Sequence, residues 1–289
     1  MKEFVAACAQ FAVKPNDIEG NSLKAAEWLE AAVKTHGAEL VVFPETITTG
    51  FVPKLSISEL YDLVDHIPGK TTERMQKEAK KFKAHVVWST YERGEENIIY
   101  NTTVLIGSEG DVLGTYRKVH PFPTERVDLG GWTTRGDETV VCDTELGKIG
   151  LICCYDGDFP ELSRVIALKG AEVIVRPSAF LRTFHIWQLT NLARAYDNHV
   201  YMVATNAVGP DAGMNYYYGH SMIVSPTAQI LAQARGTEEM VAARLDPEPL
   251  RNLGCGSAVP MVFNHMEDRW PKAYEGILEE GKSTFPRHQ

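Results

Sequence analysis

The sequence predicts an α/β fold in which two sheets pack face to face beneath outer helices. Three observations carry this. Strand-like and helix-like segments alternate along the chain, so helices cover sheet faces. More than ten segments read as strands, too many for one open twisted sheet, and two packed sheets hold them more easily. The 289 residues are 44% apolar and 23% charged, which are ordinary globular proportions. A chain of this length buries roughly 75% of its unfolded surface and needs neither disulfides nor a structural metal to hold together.

The elements follow in order. Residues 5–11 read as a strand, and 21–35 as an amphipathic helix with Leu23, Ala26, Leu29 and Val33 near helical spacing. Residues 39–43 form a short apolar strand, 72–82 a second helix and 85–91 a strand. Segments 98–106 and Val112–Arg117 pair across Gly107-Ser108-Glu109-Gly110, a hairpin-like connection. Residues 148–154 read as a strand, 161–169 as a helix, 172–175 as a strand, Phe184–Asn198 as a helix and 201–207 as a strand. Three strands, 220–225, 229–234 and 240–245, close the pattern. This gives one domain over 1–246 and an extension over 247–289, whose Trp270, Tyr274 and Phe285 are expected to pack on the domain or on a partner subunit.

The formal charge of −9 argues against nucleic acid and anionic membranes as partners. No apolar run approaches the ~20 residues of a membrane span, and the first residues lack a signal-peptide layout. Five cysteines at irregular spacing fit free thiols in a reducing cytoplasm better than a disulfide framework. No HExxH, CxxC, GxGxxG or GxxxxGK[ST] pattern occurs, so neither a metal nor a nucleotide cofactor is expected.

Ligands of open α/β sheets gather beyond the carboxyl ends of strands. Three apolar runs end in polar groups there: Leu40-Val41-Val42-Phe43 before Pro44-Glu45, the strand before Arg117-Lys118, and Ile149-Gly150-Leu151-Ile152 before Cys153-Cys154. Singly, each has a plain reading: a solvated glutamate, a surface lysine, an inert core thiol. Together they supply a base, a cation and a nucleophile. On a strand, adjacent cysteines point to opposite faces, so only one can enter a shared pocket.

The motifs VVFPET (41–46), YRKVHPF (116–122) and GLICCYDGDFPE (150–161) resemble those of the nitrilase superfamily of carbon–nitrogen hydrolases, over about residues 3–245. YNTTVLI (100–106), ARAYDN (193–198) and YGHSMIVSPTAQIL (218–231) support the likeness. The resemblance implies a four-layer αββα sandwich, association into a homodimer or larger homo-oligomer, and a Glu45–Lys118–Cys154 triad that needs no cofactor. Gly150 and Tyr155-Asp156 select Cys154 as the nucleophile, leaving Cys153 a packed core thiol. Glu125 is placed as a second glutamate that holds the lysine and positions substrate. Its alternative is a loop carboxylate paired with Arg126. The expected dimer contact is helix Phe184–Asn198 with the tail after Pro247, and both could equally pack within one subunit.

The implied reaction is hydrolysis of a small-molecule amide through a thioester, with Tyr155 offering its backbone N–H to the oxyanion. Tyr155-Asp156 after the nucleophile resembles amide and carbamoyl-amide hydrolases rather than nitrilases, which usually carry Trp-Glu there. Asp158 stands where an arginine is frequent, and the Asp-Gly followed by a small polar residue resembles aliphatic amidases, which leans toward simple amides. N-carbamoyl amino acid hydrolysis is the alternative, with Arg176 or Arg182 holding a substrate carboxylate. A nitrilase and a non-catalytic interaction module stay open. His120, Trp132, Arg176 and Phe180 are candidate pocket residues, each with a packing or loop role as its alternative.

Overall fold

A computed structural model of the chain describes residues 1–251 and 263–281. In chain order the elements are β1 (Phe4–Gln10), α1 (Ile18–His36), β2 (Leu40–Val42), α2 (Ile57–Leu63), α3 (Lys70–Phe82), β3 (His85–Arg93), β4 (Ile99–Ile106) and β5 (Val112–Arg117). Then come β6 (Val140–Thr144), β7 (Gly147–Leu151), a 3₁₀ turn (Cys154–Asp158), α4 (Pro160–Leu168), β8 (Val173–Ser178), α5 (Phe184–Asn198) and β9 (Tyr201–Asn206). The short β10 (Val208–Pro210) and β11 (Tyr216–Tyr218) precede β12 (Met222–Val224), β13 (Ile230–Gln233) and β14 (Glu239–Leu245).

Two six-stranded mixed sheets form, ordered β14-β1-β2-β3-β4-β5 and β13-β12-β9-β8-β7-β6, with β10 and β11 as a separate pair. In the first, β1, β2 and β3 run parallel while β14, β4 and β5 join antiparallel. The second has a parallel core of β7, β8 and β9 flanked by antiparallel strands. The sheets stack, with helices outside, as the strand count predicts.

Side-chain alternation on β1 shows how the layers form. Ala6 and Cys8 face the second sheet and join its Met202, Ala204 and Met222. Ala7 and Ala9 face outward, beneath Ala25 and Leu29 of α1 and Met75 and Ala79 of α3. Cys8 is a packed thiol whose pKa burial pushes up to about 12. On the other side, α4 and α5 cover the second sheet through Ile166, Trp187 and Ala195.

Gly150 is required by close approach: a Cβ there would lie 2.2 Å from Cγ2 of Ile166 on α4. Gly150→Ala therefore pushes α4 off β7, and a stability loss of about 1–3 kcal/mol is expected as a lowered thermal midpoint.

Several elements differ from the sequence reading. Helix α1 starts earlier, because the Asp17 side chain caps it by accepting from Gly20 N at 3.0 Å. Helix α2 was not anticipated, although Ser56 and Glu59 form a capping box there. Strand β6 was also missed, and β7 ends at Leu151, so Cys153 and Cys154 are not on a strand at all.

Among the described residues, no helix is long and apolar enough to cross a membrane. In the extension, His265 packs on α5, its ring centre 4.3 Å from that of His199, and Arg164 of α4 donates to its carbonyl. Trp270, Tyr274, Ile277 and Leu278 are exposed. Phe285 and Cys255 lie outside the described residues.

Candidate active site

The site lies at one edge of the sandwich, beyond the carboxyl ends of β2, β5, β7 and β8. Glu45 follows β2 and Lys118 directly follows β5. Cys154 opens the turn after β7, and Ala179 follows β8. Because β4 runs antiparallel to β5, its early residue Asn101 reaches the same edge.

Glu45, Lys118 and Glu125 are all buried, at no more than 1% exposure. Lys118 Nζ donates to Glu45 Oε1 at 2.6 Å and to Glu125 Oε1 at 2.5 Å. Asn101 Nδ2 bridges the same acids, at 2.8 Å from Glu45 Oε1 and 3.0 Å from Glu125 Oε2. Phe122 N also donates to Glu125 Oε1, at 2.8 Å. Ala179 N donates to Glu45 Oε2, at 2.8 Å. Burial alone would lower the Lys118 pKa, but Glu125 and Glu45 reverse this and hold the ammonium well above the ordinary lysine value. Burial also lifts the Glu125 carboxyl; Lys118 pulls it back and Glu45 pushes it up again.

Cys154 lines a cavity with Phe51, Phe122, Ala179, Phe180, Leu181 and Arg182, which encloses about 270 Å³ of non-atom space including its open mouth. Its backbone takes φ +42°, a left-handed conformation that is uncommon outside glycine. The surroundings fix it there. Arg176 Nε donates to the Cys154 carbonyl at 2.8 Å, and Asp156 Oδ2 accepts from Cys153 N at 2.8 Å. The same Asp156 accepts from Tyr116 Oη at 2.6 Å and from His120 N at 2.9 Å, tying the cysteine turn to the segment that carries Lys118. Gly157 packs closely beneath it: a Cβ would lie 2.1 Å from Arg176 Cζ and would displace that guanidinium. Burial pushes the Cys154 thiol above the ordinary cysteine value; Glu45 adds to the shift, while Lys118 and Arg176 oppose it. The sulfur therefore lies within the fields of both the acid and the lysine.

Several expectations need correction. Cys153 is fully buried but is no inert packed thiol: its Sγ donates to Glu45 Oε1 at 3.3 Å. The strand-alternation argument does not apply to the pair, because both residues lie past the end of β7. What separates them is access, Cys154 lining the cavity and Cys153 fully enclosed. Arg176 is not in the cavity wall. It lies buried behind Cys154, bound to that residue's carbonyl, Thr190 and Asn191. Trp132 packs one ring further back, against Phe51 and Tyr91, and does not line the cavity. His120 is also outside it, its Nδ1 2.9 Å from Asp156 Oδ1 and its ring stacked on Phe159. Tyr155 stands edge-on to Phe122 at 5.2 Å, behind the lining. Phe180 does line the cavity.

The sequence reading gave no role to Asn101, Phe51, Phe122, Leu181 or the Ala179 N–H. Asn101 lay in view inside YNTTVLI, but its closeness to Glu45 and Glu125 arises only in the fold, 56 and 24 residues away along the chain.

Known proteins place this geometry. The family model for carbon–nitrogen hydrolases matches residues 5–253. A probable nitrilase of Schizosaccharomyces pombe is 30% identical over 94% of this chain and 97% of its own length. An omega-amidase, NIT2 of Xenopus tropicalis, is 32% identical over 88% of this chain and 92% of its own. The crystal structure of Nit3 from Saccharomyces cerevisiae, described as a member of branch 10 of the nitrilase superfamily, superposes with a TM-score of 0.77 at 30% identity, over 86% of this chain and 92% of that one. On the extent of these matches, this chain belongs to the carbon–nitrogen hydrolase family.

Proposed function

We propose that the chain hydrolyses small linear amides through a thioester on Cys154. The observation that carries this reading is that Cys154 lines a cavity while its thiol lies within the electrostatic reach of Glu45 and Lys118, which are fully buried together with Glu125. A thiol whose pKa is raised needs a base at the moment of attack, and Glu45 is the carboxylate that acts on it. Glu45 takes the thiol proton as sulfur bonds to the amide carbon. Two of the three Lys118 protons are held by Glu45 and Glu125, so the third is free for the oxyanion. Glu45 then returns its proton to the leaving nitrogen, which departs as ammonia or amine. Water, activated by Glu45, cleaves the thioester, giving the carboxylic acid and restoring the thiol. Glu125 and Asn101 hold Lys118 and Glu45 in place.

N-carbamoyl amino acids and nitriles are the competing substrate classes. The first needs a cation for a carboxylate, and Arg182 in the cavity wall already holds that of Asp158. A panel of short amides, N-carbamoyl amino acids and nitriles, scored for ammonia, tests the reading. Short amides are expected to lead, with an acyl mass adduct that fragmentation maps to Cys154. An adduct on Cys153, or nitriles alone being consumed, contradicts it.

The exposed apolar residues Val165 and Leu168 of α4 and Ile186, Leu189 and Tyr196 of α5 support a homo-oligomer that covers this face. Free thiols at Cys8, Cys142, Cys153 and Cys154 support a reducing, cytoplasmic setting.

A further inference from the structure

Arg182 is the charged residue in the wall of the Cys154 cavity, beside Phe122, Phe180 and Leu181. Its guanidinium lies 4.5 Å from the Phe180 ring centre and 5.3 Å from that of Tyr155. Asp158 receives it as a fork: Nη1 donates to Oδ2 at 2.5 Å and Nη2 to Oδ1 at 2.9 Å. Two parallel N–H···O bonds are how a guanidinium takes up a carboxylate, so the end-on fork of Arg182 is filled by the protein's own acid. The other cations acting on the Cys154 sulfur are also committed. Lys118 lies between two glutamates. Arg176 is buried 3.6 Å from Asp158 Oδ1, with its hydrogen bonds on neutral acceptors. A carboxylate entering this cavity would lose its water and meet cations already charge-paired: Arg182 with Asp158, and Lys118 with two glutamates.

We propose that the Asp158–Arg182 pair sets substrate charge, so that the site takes uncharged short amides and rejects amides that carry a second, anionic group. This deepens the amidase reading and rests on it. Asp158 acts through Arg182 and is a specificity residue rather than a catalytic one.

The test compares substrates matched in length, butyramide and the succinamate anion. In the native enzyme kcat/KM is expected to favour butyramide by about 100-fold or more, as expected when a buried charge has no partner. Asp158→Asn frees the fork and is expected to shrink that ratio by about tenfold. Adding Arg182→Gln should restore the native preference, since the gain runs through the guanidinium. Asp158→Ser serves if the asparagine variant folds poorly. Equal turnover of both substrates by the native enzyme, an unchanged ratio in Asp158→Asn, or a gain that survives loss of Arg182 overturns the proposal. Calorimetric binding of both amides to the Cys154→Ala protein separates this from the wider reading. Preference for butyramide in binding, without turnover of any amide by the native enzyme, sinks the amidase reading alone. Equal binding, or binding of neither, overturns the charge rule itself.

Discussion

Cys154→Ala is expected to lower amide turnover by on the order of 10⁶-fold, the size of loss seen when an acyl-transfer enzyme is stripped of its nucleophile. Stability should change little, because the substitution removes a single atom at a residue that also lines the cavity. Cys153→Ala is the necessary comparison. It removes a thiol donor from Glu45, so turnover should slow but persist, with the acyl adduct still forming at position 154. A silent Cys153 variant beside an active Cys154 variant would reverse the assignment of the nucleophile. Pre-steady-state release of ammonia, measured with melting curves for each variant, decides between these outcomes.

Lys118→Met is expected to damage both activity and stability. It leaves Glu45 and Glu125 buried, bridged by Asn101 and without their cation. Breaking a buried ion cluster from one side costs about 3–5 kcal/mol. The sign of the pH dependence is specific. In the native protein burial already lifts the Glu125 carboxyl, with Lys118 pulling it back. Without Lys118 the folded state must hold a proton that the unfolded chain gives up at an ordinary carboxylate pKa. Stability is then present at acid pH and lost as pH rises through the raised value. Urea midpoints from pH 5 to 8 should fall for Lys118→Met, and adding Glu125→Gln should recover part of the loss. A pH-independent deficit would mean that Lys118 acts as packing rather than as a counter-charge.

Much of this was legible in the chain. Strands ending in Glu45, Lys118 and the cysteine pair could be read because an apolar run followed by one polar group is a local signal. The two-sheet layering followed from the number of strands. What escaped was set by backbone geometry and by distant partners. The left-handed turn at Cys154 breaks the strand periodicity just where it was being extrapolated, so the two thiols were sorted by an alternation they do not obey. Arg176 and Arg182 look alike in sequence. Their separation, one behind the nucleophile and one in the cavity wall, depends on where Asp158 and the α5 residues Thr190 and Asn191 fall in space. Trp132 and Phe51 differ by a single ring of depth, which no spacing encodes.

Glu45, Asn101 and Lys118 all hang from the first sheet, whereas Cys154 and the Ala179 N–H hang from the second. The proposed reaction centre is therefore a seam. It exists only while the two halves stay in mesh, and a slip of an ångström or two between them would disarm the protein while every strand and helix remained intact.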